Sequence, residues 1–214
     1  MRNIELKDAF DQIEEKNREI TDSITYAKRI QEAIMPPMSY WKQHLPDSFI
    51  YYRPKDIVAG DFYWMEVIPA TNDRAEQVIF AAADCTGHGV PGAMVSVLCC
   101  NALNRAVREY HHQSPAHILN ETLRHVVERF ERSHETVRDG MDIAICRLDR
   151  ESETLYYSGA HNPLWIITTR EIVLDGIEHR ILELDGHTLY EIKADKQAIG
   201  LVETPQPFTE HKSN

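Results

Sequence analysis

Positive charge is what this sequence lacks. Its 23 Lys and Arg stand against 34 Asp and Glu in 214 residues, a formal net charge of −11. A partner rich in phosphate rewards a basic face, so neither nucleic acid nor an anionic membrane surface is expected. Long apolar runs are missing too. No segment approaches the ~20 apolar residues that span a bilayer, and the N-terminus has no apolar stretch of the secretory kind. The expectation is a cytoplasmic protein, or the cytosolic part of a longer sensor protein, without direct membrane insertion. Cysteine is sparse: the four residues Cys85, Cys99, Cys100 and Cys146 show no C-x-x-C spacing. Neighbours such as Cys99 and Cys100 in a helical pattern point in different directions, which does not suggest a shared zinc site. They read as buried, reduced thiols.

What is present begins with a heptad seam. Leu6, Phe10, Ile13, Asn17, Ile20, Ile24, Ala27, Gln31 and Ile34 alternate steps of four and three. Pro36-Pro37 stops the helix, because proline lacks the amide donor and disfavours helix in the residue before it. The seam fits a single amphipathic helix lying on the domain, or a parallel two-stranded coil with Asn17 as the buried polar residue that sets register. In the second case residues 1–35 form a homodimer. The expected organisation is a coiled-coil and linker helix over 1–37, followed by one domain over 38–214.

From Asp47 onward the pattern mixes strands and helices. Strands are predicted over Ser48–Arg53, Asp56–Ala59, Gln77–Ala83, Met141–Leu148, Thr154–Ser158, Leu164–Thr168, Glu171–Leu174, Arg180–Leu184 and Thr188–Ile192. Two consecutive amphipathic helices are predicted over Val90–Tyr110 and Ser114–Glu131. Asp/Gly/Asn-rich joints such as Asp175-Gly and Asp185-Gly punctuate hairpins. Helices grouped between meandering strands imply an α+β fold with antiparallel sheets and helices packed outside.

The stretch Ala81-Ala-Ala-Asp-Cys-Thr-Gly-His-Gly-Val-Pro-Gly-Ala-Met94 contains a literal G-x-G-x-x-G at Gly87, Gly89 and Gly92. A dinucleotide site also needs a βαβ unit and an acidic residue ~20 positions on. Here that region, Asn104–Glu109, is still helical, so the nucleotide reading is rejected. Asp84 at the tip of a buried strand is costly to desolvate alone, and no lysine or arginine lies between Arg74 and Arg105. Either it caps an Asx-type turn, or a hard divalent cation neutralises it. Asp61, in Val58-Ala-Gly-Asp-Phe-Tyr-Trp64, is a second glycine-flanked aspartate that could share such a cation.

These residues, together with Tyr157-Ser-Gly-Ala-His-Asn-Pro163 and Gln197-Ala-Ile-Gly-Leu201, resemble the PPM-type metal-dependent Ser/Thr protein phosphatases in their bacterial SpoIIE-like branch. That branch carries blocks of the form G-G-D-x-Y, D-(V/C)-(S/T)-G-H-G, N-A-G-H-N-P and P-L-G in this order. The resemblance runs from about Ser48 to the end of the chain. It implies an αββα sandwich of two antiparallel sheets flanked by helices, preceded by a coiled-coil helix. It also implies two manganese or magnesium ions, ~3.5–4 Å apart, that activate a water for in-line attack on phosphoserine or phosphothreonine. Asp61 and Asp84 would be metal ligands, and Cys85 would contribute its main-chain carbonyl. His88 would either protonate the leaving oxygen or hold the turn by a backbone hydrogen bond. His161 is read as a turn residue and Asp142 as a solvated strand residue. The implied substrate is a phosphorylated regulatory protein, such as an anti-sigma-factor antagonist.

The chain departs from the family pattern in two places. It stops soon after Gln197-Ala-Ile-Gly-Leu201, before two further aspartates that the family uses, one in an (S/T)-D-G block and one near the C-terminus. Two carboxylates and a carbonyl are a poor cage for two ions. Weak metal binding and little or no phosphatase activity are therefore expected of this polypeptide. The competing reading is a non-catalytic dimeric interaction module with a degenerate phosphatase fold. Trp64 is the second departure, standing where many relatives carry an acidic residue.

Overall fold

The computed structural model describes residues 2–72, 75–109, 114–131, 139–174, 176–200 and 202–213. Helix α1 (Arg2–Ile34) leads the chain, and a short helix α2 (Met38–His44) follows the prolines. Most of α1 stands clear of the domain: Leu6, Phe10, Ile13 and Ile20 are exposed along the seam. Its last turns dock. Gln31 and Met35 are buried and Ile34 packs against the main core. Gln31, a weak residue for a coil seam, is thus explained by a contact within its own chain.

Among the described residues the strands that follow are β1 (Phe62–Ile68), β2 (Gln77–Cys85), β3 (Gly140–Asp149), β4 (Thr154–Ala160), β5 (Leu164–Thr168), β6 (His179–Leu184), β7 (His187–Ile192), β8 (Ile199–Gly200) and β9 (His211–Ser213). They make two antiparallel sheets. The larger is ordered β1-β2-β3-β4-β9, with β8 also on β3, and the smaller is ordered β5-β7-β6. Between β2 and β3 the chain forms helices α3 (Gly89–Arg108) and α4 (Pro115–Glu131).

Period-two alternation sorts the side chains of β2. Ile79, Ala81, Ala83 and Cys85 enter the core beneath α3 and α4, among Cys99, Leu103, Leu119 and Ile143. Phe80 turns the other way and packs with Cys146, Tyr157, Tyr190 and Ile192, where the smaller sheet covers the larger. The predicted sandwich of two antiparallel sheets with helices and a leading helix is what the structure has. By length and composition α3 could cross a membrane, contrary to the expectation that no segment is long and apolar enough. Its Ser96, Cys99, Cys100, Leu103 and Ala106 are buried in the core, the mark of an interior helix.

Three predicted strands are corrected. Ser48–Arg53 belongs to no ladder, although half-buried and exposed residues alternate along it as in a strand. Alternation records one packed face, whereas a strand also needs a hydrogen-bonded neighbour. Asp56–Ala59 is a bend, and the Ala59 amide bonds the Gln31 side chain. Glu171–Leu174 is irregular, with Leu174 closing a turn by accepting from the Ile177 amide. Asp175, Tyr110 and Leu201 lie outside the described residues. The strand β1 and the pieces α2, β8 and β9 are not among the predicted elements; the last three are too short to show a period.

Candidate metal and phosphate site

The sheet register assembles the site. Phe62 pairs with Ala83, so Asp61, the residue before β1, comes opposite Asp84 on β2. Asp84 pairs in turn with Asp142 on β3. Ile143 pairs with Ala160, which brings His161 to Asp142, and its Nδ1 lies 2.9 Å from an Asp142 carboxylate oxygen. A row Asp61–Asp84–Asp142–His161 therefore crosses one end of the sheet. His161 has φ of 57°, the left-handed region that is uncommon for a residue with a side chain.

Asp61 and Asp84 meet side chain to side chain. Both side chains are exposed to solvent; partial desolvation raises the Asp61 carboxyl above its ordinary value, and its hydrogen bond with Asp84 and the Asp84 charge raise it further. Among the described residues no lysine or arginine forms an ion pair with Asp61, Asp84, Asp139 or Asp142. Desolvation and a neighbouring like charge both disfavour the ionised form of a carboxyl.

The glycines explain the turn. Gly87 and Gly89 have φ of 83° and 59°, a region that glycine enters without steric cost. A Cβ on Gly60 would lie 2.8 Å from the Gly87 carbonyl oxygen and 2.9 Å from that of Cys85. One on Gly92 would lie 2.7 Å from the Gly87 oxygen. The G-x-G-x-x-G therefore serves backbone-on-backbone packing of the loop against the segment that carries Asp61. The Cys85 side chain faces away into the core. Its thiol is hydrogen-bonded to Cys99 and buried, both of which push its pKa far above the ordinary range, so only its main chain is available at the site.

Two residues escaped the sequence reading. Asp139 accepts a 2.7 Å hydrogen bond from the Thr86 hydroxyl, which itself accepts from the Gly140 amide at 3.1 Å. It helps line a cavity of about 280 Å³ with Asp84, Thr86, Gly140, Asp142 and Gly200. Asp56 is the second, 2.8 Å from His88 Nδ1. The ring of His88 thus bonds a carboxylate instead of the backbone group considered for it. No local pattern marks either residue, since each acts across the fold. Asp142 was visible but read as solvated. It is half-exposed, yet stands beside Asp84. Trp64 is a core residue whose indole donates to Asn104 at 2.8 Å.

The donor set suits a hard cation: two carboxylates in contact and a main-chain carbonyl facing the same glycine, all oxygen. It is also small. Among the described residues no group of three or more His, Cys, Asp or Glu side chains is arranged to hold a metal ion.

Residues 74–210 match the family profile described as Stage II sporulation protein E (SpoIIE). The chain belongs to the SpoIIE family. Among solved structures, this SpoIIE domain is similar to the SiaA-PP2C domain of Pseudomonas aeruginosa, at 26% identity and a TM-score of 0.67 over 92% of this chain and 68% of that one. It is also similar to RsbX in complex with magnesium, at 16% identity and a TM-score of 0.43 over 73% of this chain and 60% of that one. A third likeness is to the RsbU and RsbW domains of Rv1364c from Mycobacterium tuberculosis, at 16% and 0.46 over 74% and 36%. No curated protein matches it. The SpoIIE domain is thus a phosphatase-type domain of PP2C fold, as the resemblance implied.

Proposed function

We propose that this SpoIIE domain hydrolyses phosphoserine or phosphothreonine on a phosphorylated regulatory protein, such as an anti-sigma-factor antagonist, in the cytoplasm, using manganese or magnesium. The observation that carries the reading is the contact between the Asp61 and Asp84 carboxylates, with no lysine or arginine among the described residues paired to either. Asp61, Asp84 and the Cys85 carbonyl would hold the cation. When bound, a divalent ion, or the pair expected of a fuller ligand set, would neutralise phosphoryl oxygens and acidify water. The glycine turn lets a phosphate approach the backbone, because no Cβ projects from Gly87 or Gly89. Asp142 keeps His161 at the rim. His88, on the loop after Asp84, is placed to give a proton to the departing serine oxygen.

In this reading residues 1–37 are a linker helix serving the domain 38–214, and the exposed seam of α1 pairs with a second copy. With two carboxylates and one carbonyl, manganese binding should be weak and turnover slow. Titration calorimetry with manganese tests this. Weak binding abolished by Asp84→Asn supports it, together with slow p-nitrophenyl phosphate turnover lost in the same variant. Absence of binding in the unmodified chain would favour the non-catalytic dimeric module, for which the small ligand set speaks. Rapid turnover would refute the expectation of weak activity.

A further inference from the structure

The pair Asp56–His88 belongs to neither the carboxylate contact nor the core. Its two members come from the two segments that carry the site: Asp56 lies ahead of Val58-Ala-Gly-Asp61, and His88 follows Asp84 on the glycine loop. The two side chains are 42% and 70% exposed, so their bond adds little to fold stability. Its effect is on the ring. A carboxylate only accepts, so the His88 nitrogen facing Asp56, Nδ1, carries the hydrogen. The other ring nitrogen, Nε2, has no protein partner among the described residues. Asp56 lies against the start of the helix beside His88: a Cβ on Gly89 would make only ordinary contact with the Asp56 oxygen, at 3.5 Å, and it is the φ of 59° that favours glycine there.

We propose that Asp56 is the positioning residue for His88, fixing its tautomer and ring direction so that Nε2 faces the substrate's leaving oxygen. The proposal rests on the phosphatase reading above. In that reaction the water oxygen forms the new bond to phosphorus. The P–O bond to the serine breaks, and its electron pair moves onto the serine oxygen. That oxygen takes its proton from Nε2 of the doubly protonated ring, which is left neutral with its hydrogen on Nδ1, and the proton shed by the attacking water returns to Nε2 through solvent. A carboxylate that holds Nδ1–H orients the ring and selects its tautomer.

Two measurements on the 214-residue chain test this. In long-range proton–nitrogen correlation spectra, with signals assigned through His88→Gln, the neutral His88 ring should be protonated mainly at Nδ1. Asp56→Ala should shift it toward protonation at Nε2, and Asp56→Glu should restore part of the original state. A ring protonated mainly at Nε2 from the start, or one indifferent to Asp56→Ala, overturns the proposal. In the second, manganese-supported turnover of a phosphoserine peptide and of p-nitrophenyl phosphate is compared. Nitrophenolate leaves without a proton, so Asp56→Ala should cut peptide turnover ~10–100-fold more than nitrophenyl turnover, a fraction of the ~10²–10⁴ a positioned acid supplies. Equal losses on both substrates would mean a merely structural role and would overturn it. If the unmodified chain turns over neither substrate, the phosphatase reading fails, while the tautomer still decides whether Asp56 governs His88.

Discussion

Gln31 is where α1 grips the domain, and replacing it by alanine tests that grip. Its side-chain amide donates to the Ala59 carbonyl at 2.5 Å and to the Ser96 hydroxyl at 2.9 Å, and its oxygen accepts from the Ala59 amide at 3.1 Å. Gln31 and Ala59 are 4% and 6% exposed. Truncation strands both polar groups of the Ala59 backbone, whereas Ser96 keeps its bond to the Ala93 carbonyl at 2.8 Å. A buried polar group left without a partner costs about 1–3 kcal/mol. Two such groups, partly relieved by water entering the gap, give a loss of about 3 kcal/mol. For a domain of this size that lowers Tm by roughly 6–12 °C. Urea denaturation followed by circular dichroism measures it. Ala59 lies two residues before Asp61, so manganese affinity should fall in the same variant. Gln31→Glu keeps the shape but removes the donor, and should recover little. A loss below about 1 kcal/mol in Gln31→Ala would refute the reasoning, since a buried residue with three hydrogen bonds cannot be removed that cheaply.

Gly92→Ala should cost about 1–3 kcal/mol by overpacking against the Gly87 carbonyl, while Gly176→Ala, with nothing within 4 Å of its Cβ, should show only the smaller cost of its positive φ; thermal melts separate the two. Asp84→Asn should stabilise the metal-free domain. The Asp61 carboxyl is raised in the folded state, so folding takes up a proton and stability declines as pH rises from the ordinary aspartate range through the raised value. Removing the neighbouring charge should flatten that decline, by on the order of 0.5–1 kcal/mol at neutral pH after solvent screening, and a pH series of melts reads it. Asn17→Leu should change the oligomeric state or register of the α1 seam without altering the domain's melt. Sedimentation showing a monomer before and after the change would defeat the seam.

The sequence displayed what local chemistry controls. The two long helices between β2 and β3 were found to within a few residues, because their apolar periods extend over many turns. Asp84 stood out as a carboxylate at the tip of an apolar strand with no lysine or arginine near it in sequence, and Asp61 as a second glycine-flanked aspartate; the sheet register brings them together. What stayed hidden depends on distant partners. Asp56 and Asp139 are ordinary acidic residues until His88 and Thr86 arrive beside them, 32 and 53 positions away. Asp142 lost its significance in the sequence because pairing partners are set by the fold. Ser48–Arg53 misled in the opposite direction, since it has the side-chain pattern of a strand and no neighbour to bond.

The close approach of Gly60, Gly87 and Gly92 has a mechanical result. Side chains can absorb a shift of an ångström by changing rotamer, but main chains in contact transmit it. The first turn of α3 and the residues leading into Asp61 are therefore geared together without slack. A push on that helix end toward Gly60 displaces the residues that lead into Asp61.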